Sequence, residues 1–134
     1  MRIIKILGIL FLVYVAIVAI FESLLGYYQP SSDGTMVIST TRADGERADR
    51  VLAKLESDGK LYAAANHWPR AWFHQAQENP QVSITIGDAT TDHTAVLISG
   101  PEFEKVNNEH ALPTFFRILT GFPPRYILRL DPRA

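Results

Sequence analysis

The chain contains no cysteine. That removes disulfides, thiolate zinc sites and thiol nucleophiles, and it leaves the compartment open. It also lacks an excess of either charge: 13 Lys and Arg stand against 14 Asp and Glu, a formal net charge of −1. A nucleic-acid binder would carry a basic face, so no nucleic-acid partner is expected. Histidine is sparse. His67, His74, His93 and His110 fall at no metal-ligand spacing, and no metal site is expected. Internal repeats and low-complexity tracts are lacking too. With 134 residues the chain suits one compact domain.

Long apolar runs are absent with one exception. Residues 6–21 are uncharged and apolar; Arg2 and Lys5 precede them, Glu22 and Ser23 interrupt, and residues 24–28 resume. A helix over residues 3–28 is long enough for a hydrocarbon layer of roughly 30 Å. Tyr27 and Tyr28 would then sit at the interface, where amphipathic rings prefer to lie. A cleaved signal peptide has a similar outline. No clean small-x-small site precedes Glu22, however, which favours an uncleaved single-pass anchor over residues 1–28. The positive-inside rule keeps Arg2 and Lys5 in the cytoplasm and sends the remainder to the extracytoplasmic side. The alternative is an interfacial helix with a cytoplasmic domain. Residues 29–34, Gln-Pro-Ser-Ser-Asp-Gly, read as a linker, leaving residues 35–134 as the folded domain.

Within that domain, residues 35–41 are rich in β-formers and predict a strand. Residues 42–50 follow as a charged segment with an Asp44-Gly45 turn. Residues 51–56 and 60–65 predict two more strands across Asp58-Gly59. Residues 81–86 alternate Val82, Ile84 and Ile86 with polar partners, the cleanest half-buried strand pattern in the chain. Residues 94–99 and 125–130 complete a set of six. Helices are predicted from Gly100 to about His110 and over residues 112–119, the second ended by Gly121. Six short strands joined mostly by tight turns suit an α+β, mainly antiparallel barrel better than βαβ units.

Residues 66–80 lie at the centre of this arrangement. They leave an apolar strand, pass Pro69 at a first-turn position, and stop at Asn79-Pro80. A strand that delivers its end into a helix start can hold an anion, and Arg70 adds a forked cation there. Trp68 and Trp72 offer flat faces for a ring system. The opposing reading is a short amphipathic helix that plugs the barrel with its aromatics. Arg42, Arg47 and Arg50 bracket the Asp44-Gly45 turn and form a second candidate anion site, although Asp44, Glu46 and Asp49 share the segment. The competing reading there is a solvated hairpin laced with weak surface ion pairs.

The segment order resembles a known family. Val37-Ile38-Ser39-Thr40-Thr41-Arg42, Gly45 and Arg47, then Ala71-Trp72-Phe73-His74 and Asn79-Pro80-Gln81-Val82, are similar to the deazaflavin-dependent nitroreductases, which share a split β-barrel with FMN-binding proteins. The likeness spans about residues 34–132. It implies a six-stranded split β-barrel behind one N-terminal membrane helix, and hydride transfer between deazaflavin coenzyme F-420 or FMN and an electron-poor acceptor such as a quinone or nitro compound. The cofactor-binding residues would be Arg42, Arg47, Asn66, His67, Arg70 and Trp72. A membrane contact through the helix, a quinone partner and a homodimer are compatible with it. The sequence departs from the pattern at Ala43 and Asp44, where the family has Lys and Ser or Thr, at Val51-Leu52 and at Arg70. These departures keep open a barrel that binds a ligand or a protein at the membrane without redox chemistry.

Overall fold

The computed structural model of the chain describes residues 1–27, 34–66 and 71–133. Residues 28–33, most of the expected linker, and residues 67–70, with His67, Trp68, Pro69 and Arg70, lie outside them.

Strand β1 (Thr35–Thr41) alternates strictly, with Met36, Ile38 and Thr40 turned inward. It runs antiparallel to β2 (Arg47–Ala53), from Thr35 opposite Ala53 to Thr41 opposite Arg47. The Lys54 N–H closes the ladder by donating to the Gly34 carbonyl at 2.9 Å. The chain then leaves this edge. Strand β3 (Leu55–Ser57) turns at Asp58-Gly59 and pairs with β4 (Lys60–Ala65). Both turn residues have positive φ, +50° and +74°, which suits a two-residue hairpin. Helix α2 (Ala71–Glu78), the hairpin of β5 (Gln81–Ile86) and β6 (Ala89–Leu97), helices α3 (Gly100–Glu109) and α4 (Thr114–Thr120), and strand β7 (Tyr126–Pro132) follow.

The sheet order is β2-β1-β5-β6-β7-β4-β3, and its six pairings among the described residues are antiparallel. Strands β2 and β3 thus sit at opposite edges although only Lys54 separates them. One residue can join two edges only if the sheet curls until they approach, and the result is a half-barrel. The described residues form seven strands rather than the six expected. The difference lies at residues 47–57. Arg47, Asp49 and the charged segment around them read as turn, but their side chains point off the outer face of an edge strand, where charge is tolerated. Strand β6 also starts earlier than residue 94, because Gly87, at φ +59°, allows a two-residue turn straight out of β5.

Ile38, Val82, Ile84, Leu128 and Leu130 meet inside the curl, and Trp72, Phe73 and Ala76 of α2 fill it. Burying an aromatic of this size is worth about 1.5 to 3 kcal/mol. A second cluster of Leu55, Tyr62, Ile98, Val106 and Ile127 packs the sheet against α3.

Helix α1 (Arg2–Tyr27) has two unlike halves. Before Tyr14 every residue is exposed. From there a stripe of Tyr14, Val18, Phe21, Glu22 and Leu25, at helical spacing, is covered. Tyr14 Oη donates to the Ile118 carbonyl at 2.8 Å, and the Phe21 ring meets Phe116 of α4 edge-on at 5.8 Å. Arg50 donates to the Leu25 carbonyl at 2.8 Å near the helix end. The polar residues that interrupt the apolar run are thereby accommodated: Glu22 is buried against the domain, and Ser23 bonds the Ala19 carbonyl within the helix.

Candidate functional site

The β1–β2 connection is a compact turn. Gly45 N–H donates to the Arg42 carbonyl at 2.9 Å, Arg42 N–H to Glu46 at 2.7 Å, and Gly45 takes φ +85°. Asp44 faces its own turn and accepts from the Glu46 N–H at 3.0 Å. Asp49 lies on the strand and accepts from Ser39 Oγ at 2.6 Å. Two of the three acids near the turn are thus engaged locally. Arg47 reaches across β1, donating to the Ser39 carbonyl at 3.2 Å and to Ser83 Oγ of β5 at 2.9 Å. Ser83 in turn donates to Asp92. Arg42 differs: it is exposed and its guanidinium has no partner among the described residues.

Helix α2 stands beside this hairpin. Thr40 Oγ1, fully buried one residue before the end of β1, donates to Gln75 Oε1 of α2 at 2.6 Å. The fold therefore packs α2 against the end of β1, the strand that leads into the Arg42 turn. Trp72 lies in the core at 6 % exposure, its ring edge-on to Phe73 at 5.9 Å.

Asn66 ends β4 at the wall of a cleft of about 520 Å³, shared with Phe103, Asn107, Arg117, Phe122 and Arg125. A volume of this order suits a small organic molecule. Arg125 is half-buried in the cleft. Its Nε donates to Asn66 Oδ1 at 3.0 Å, and its Nη1 donates to Asn107 Oδ1 and to the His110 carbonyl, both at 2.8 Å. Burial holds this guanidinium below the usual arginine range, and no carboxylate faces it among the described residues. It satisfies the C-terminal carbonyls of α3, a role that suits a cation. Arg117 lies over the Phe122 ring at 5.6 Å. Sequence reading missed both arginines. Arg125 looked like the first residue of a strand, and nothing local shows which helix it caps.

A further polar cluster ties α3 to the sheet. Tyr62 Oη donates to Glu102 at 2.9 Å, Arg129 donates to both Glu102 oxygens at 2.8 and 3.2 Å, and Arg129 grips Asp131 at 2.7 and 3.1 Å. Burial, aided by the bond to Glu102, pushes the Tyr62 phenol up to about 12. Burial also raises the Glu102 carboxyl, but the bonds from Tyr62 and Arg129 outweigh it and hold the group below its ordinary value. His93 is buried between Thr91 and the Leu130 carbonyl, and the described residues hold no cluster suited to a metal.

No family model matches the chain, and no curated protein does. Solved structures do. A reductase dependent on reduced F-420 shares 24% identity at TM-score 0.61, over 73% of this chain and 94% of its own. A heme storage protein from Vibrio cholerae shares 20% at 0.59, over 77% and 84%. A FAD-binding protein from Mesorhizobium loti shares 18% at 0.53, over 75% and 79%. These likenesses show a shared fold and do not single out the nitroreductases.

Proposed function

We propose that the chain is a membrane-anchored oxidoreductase that moves a hydride between F-420 or FMN and an electron-poor acceptor, a quinone or a nitro compound. The observation that carries the reading is the junction at Thr40 and Gln75, which seats the Arg42 hairpin beside α2 on a fold whose solved examples include F-420-dependent and FAD-binding proteins. In this reading Arg42, Arg47 and Arg70 take the phosphate side of the cofactor. Asn66 and His67 take the ring side; Trp72, assigned there by the sequence, is buried in the core and backs the site from within.

The residues fit a phosphate. Arg42 is a cation without a competing partner among the described residues, and Asp44 and Asp49 are turned to their own hydrogen bonds. In its reduced form the bound cofactor would supply the hydride, and a proton from water would complete the reduction of a quinone to a quinol. The protein binds, orients and excludes water. Helix α1, the one described helix long and apolar enough to cross a membrane, supports an acceptor dissolved in lipid. FMN asks for one phosphate site. The longer anionic tail of F-420 asks for more, and Ala43 removes one cation from the turn.

The test uses the full chain in detergent: its visible spectrum as isolated, then titration with F-420 and FMN at low and high salt. Saturable binding of either, weakened by salt, supports the reading. The presence of a heme storage protein among the structural neighbours favours a second reading, a ligand-binding barrel without redox chemistry. Failure to bind either cofactor would move the weight there.

A further inference from the structure

The length of α1 conflicts with the simplest picture of a helix that crosses the bilayer and carries a separate domain beyond it. Residues 2–13 are exposed on all sides, and at 1.5 Å per residue they span about 18 Å. A hydrocarbon core is about 30 Å thick. The missing 12 Å or so corresponds to residues 14–21. That is the stretch against which α4 packs, from the Tyr14 bond to the Ile118 carbonyl to the Phe21–Phe116 contact. If α1 crosses the membrane, α4 is drawn in with it.

The surface of α4 fits that position. Phe116 turns toward α1. Phe115 and Ile118 turn away at 71% and 41% exposure, joined by Phe122 at 53%. Phe115 and Ile118, at i and i+3, share one face of the helix, and Phe122 adds an exposed ring just past its end. Phe122 holds φ +53°, a conformation uncommon for a bulky residue, just after Gly121 at +78°. Arg117 lies beside the Phe122 ring, long enough to carry its charge to the headgroups while its stem covers apolar surface. Leu112, Arg117, Phe122 and Pro123 line the cleft, so the exposed Phe122 belongs to both the apolar surface and the cleft.

We propose that α4 and the Phe122 turn are immersed in the bilayer interface, with Phe115, Ile118 and Phe122 against acyl chains, so that the cleft opens at the membrane surface and admits its ligand from the lipid. The occupant of this apolar surface is lipid. The proposal rests on the reading of α1 as an anchor and adds the depth and face of the domain.

The absence of cysteine makes the test direct, because single-cysteine probes meet no background. The full chain is labelled with bimane at Phe11→Cys, Phe115→Cys, Ile118→Cys or Thr90→Cys, the last in the exposed β5–β6 hairpin. Each is reconstituted into mixed phosphatidylcholine–phosphatidylglycerol vesicles, with or without nitroxide on the acyl chains. The expected result is about twofold quenching at Phe11, Phe115 and Ile118 and none at Thr90, as for apolar positions at or below the interface. Quenching at Phe11 alone would overturn the proposal and leave the anchor standing. Quenching at none of the positions would reject the anchor and the proposal with it. A blue shift at Phe115 that grows with protein concentration and ignores the nitroxide would assign the apolar surface to a second copy, against the proposal.

Discussion

The arginines of the hairpin and those of β7 and its approach form two populations. Arg125 and Arg129 are held by two or more oxygens each, among them the carbonyl of His110 and the carboxylates of Glu102 and Asp131. Arg42 is exposed and unpartnered among the described residues, and exposed Arg47 bonds neutral oxygens of Ser39, Thr41 and Ser83. Residue type does not separate a structural cation from a ligand cation. What sets Arg42 apart is that no acceptor among the described residues is aimed at its guanidinium, whereas Arg125 and Arg129 are already engaged. A structural arginine should move stability when removed, and a ligand arginine should move affinity.

The largest expected effect is therefore on the structural side. Arg125→Ala leaves the Asn66 amide, the Asn107 amide and the His110 carbonyl without their shared donor in a half-buried site. Charged hydrogen bonds of this kind are worth about 1.5 to 3 kcal/mol, so a loss of about 3 kcal/mol is expected for the whole set. Urea unfolding of the full chain in detergent reads it directly. A midpoint unchanged from the parent would mean that water replaces the arginine and that the division between the two populations fails.

The ligand side comes next. Arg42→Ala should weaken F-420 or FMN binding by about 1.5 to 3 kcal/mol while leaving the unfolding midpoint in place. The comparison breaks if the variant binds as tightly as the parent, or if it unfolds as easily as Arg125→Ala does.

Much of this arrangement was legible in the sequence, and the boundary of what was legible has a physical cause. Period-two alternation marked β5, and Gly121 marked the end of α4 through its left-handed conformation, because both are local. The aromatics of α2 matched two readings, and the structure buries Trp72 and Phe73 in the core, as their helical spacing also allowed. The first half of β2 was missed, and its second half was merged with β3, because an edge strand with one solvated face tolerates the charges that otherwise signal a turn. The covered stripe on α1 was hidden for a different reason. An apolar helix looks alike whether lipid or protein covers it, and only Glu22 hinted that one face meets protein. Arg125 could not be assigned, since its partners at Asn66 and Asn107 are 59 and 18 residues away.

A smaller effect sharpens the structural side by pH. Tyr62→Phe removes the donor to Glu102 and should cost about 1 to 2 kcal/mol at neutral pH. The sign of the alkaline effect follows from the direction of the shift. The folded-state value of about 12 lies above the ordinary 10.0, so the stabilisation is complete below pH 10 and is lost as pH rises toward 12. The parent should therefore lose stability across that window, and Tyr62→Phe should lose less. Parallel pH profiles for the two chains would mean that another group controls the alkaline limit.

The smallest effect returns to the hairpin and asks whether its turn is set by backbone or by space. At Gly45 a Cβ would meet nothing within 4 Å, yet φ is +85°. Sterically the site is open; conformationally it is closed to most residues. Gly45→Ala should cost about 1 kcal/mol through the left-handed penalty alone. Gly45→Asn adds a larger side chain but tolerates that conformation better, so it should cost less than alanine. If volume were the constraint, the order would reverse. The same pair of variants tests how Arg42 is presented. Its carbonyl accepts from the Gly45 N–H and its own N–H donates to Glu46, so a turn that opens at position 45 moves the arginine. Alanine should then weaken cofactor binding by more than its thermal cost, and asparagine should restore most of both. Thermal melts and cofactor titrations on the two variants give the answer, and an alanine variant that loses stability but binds normally would separate the turn from the site.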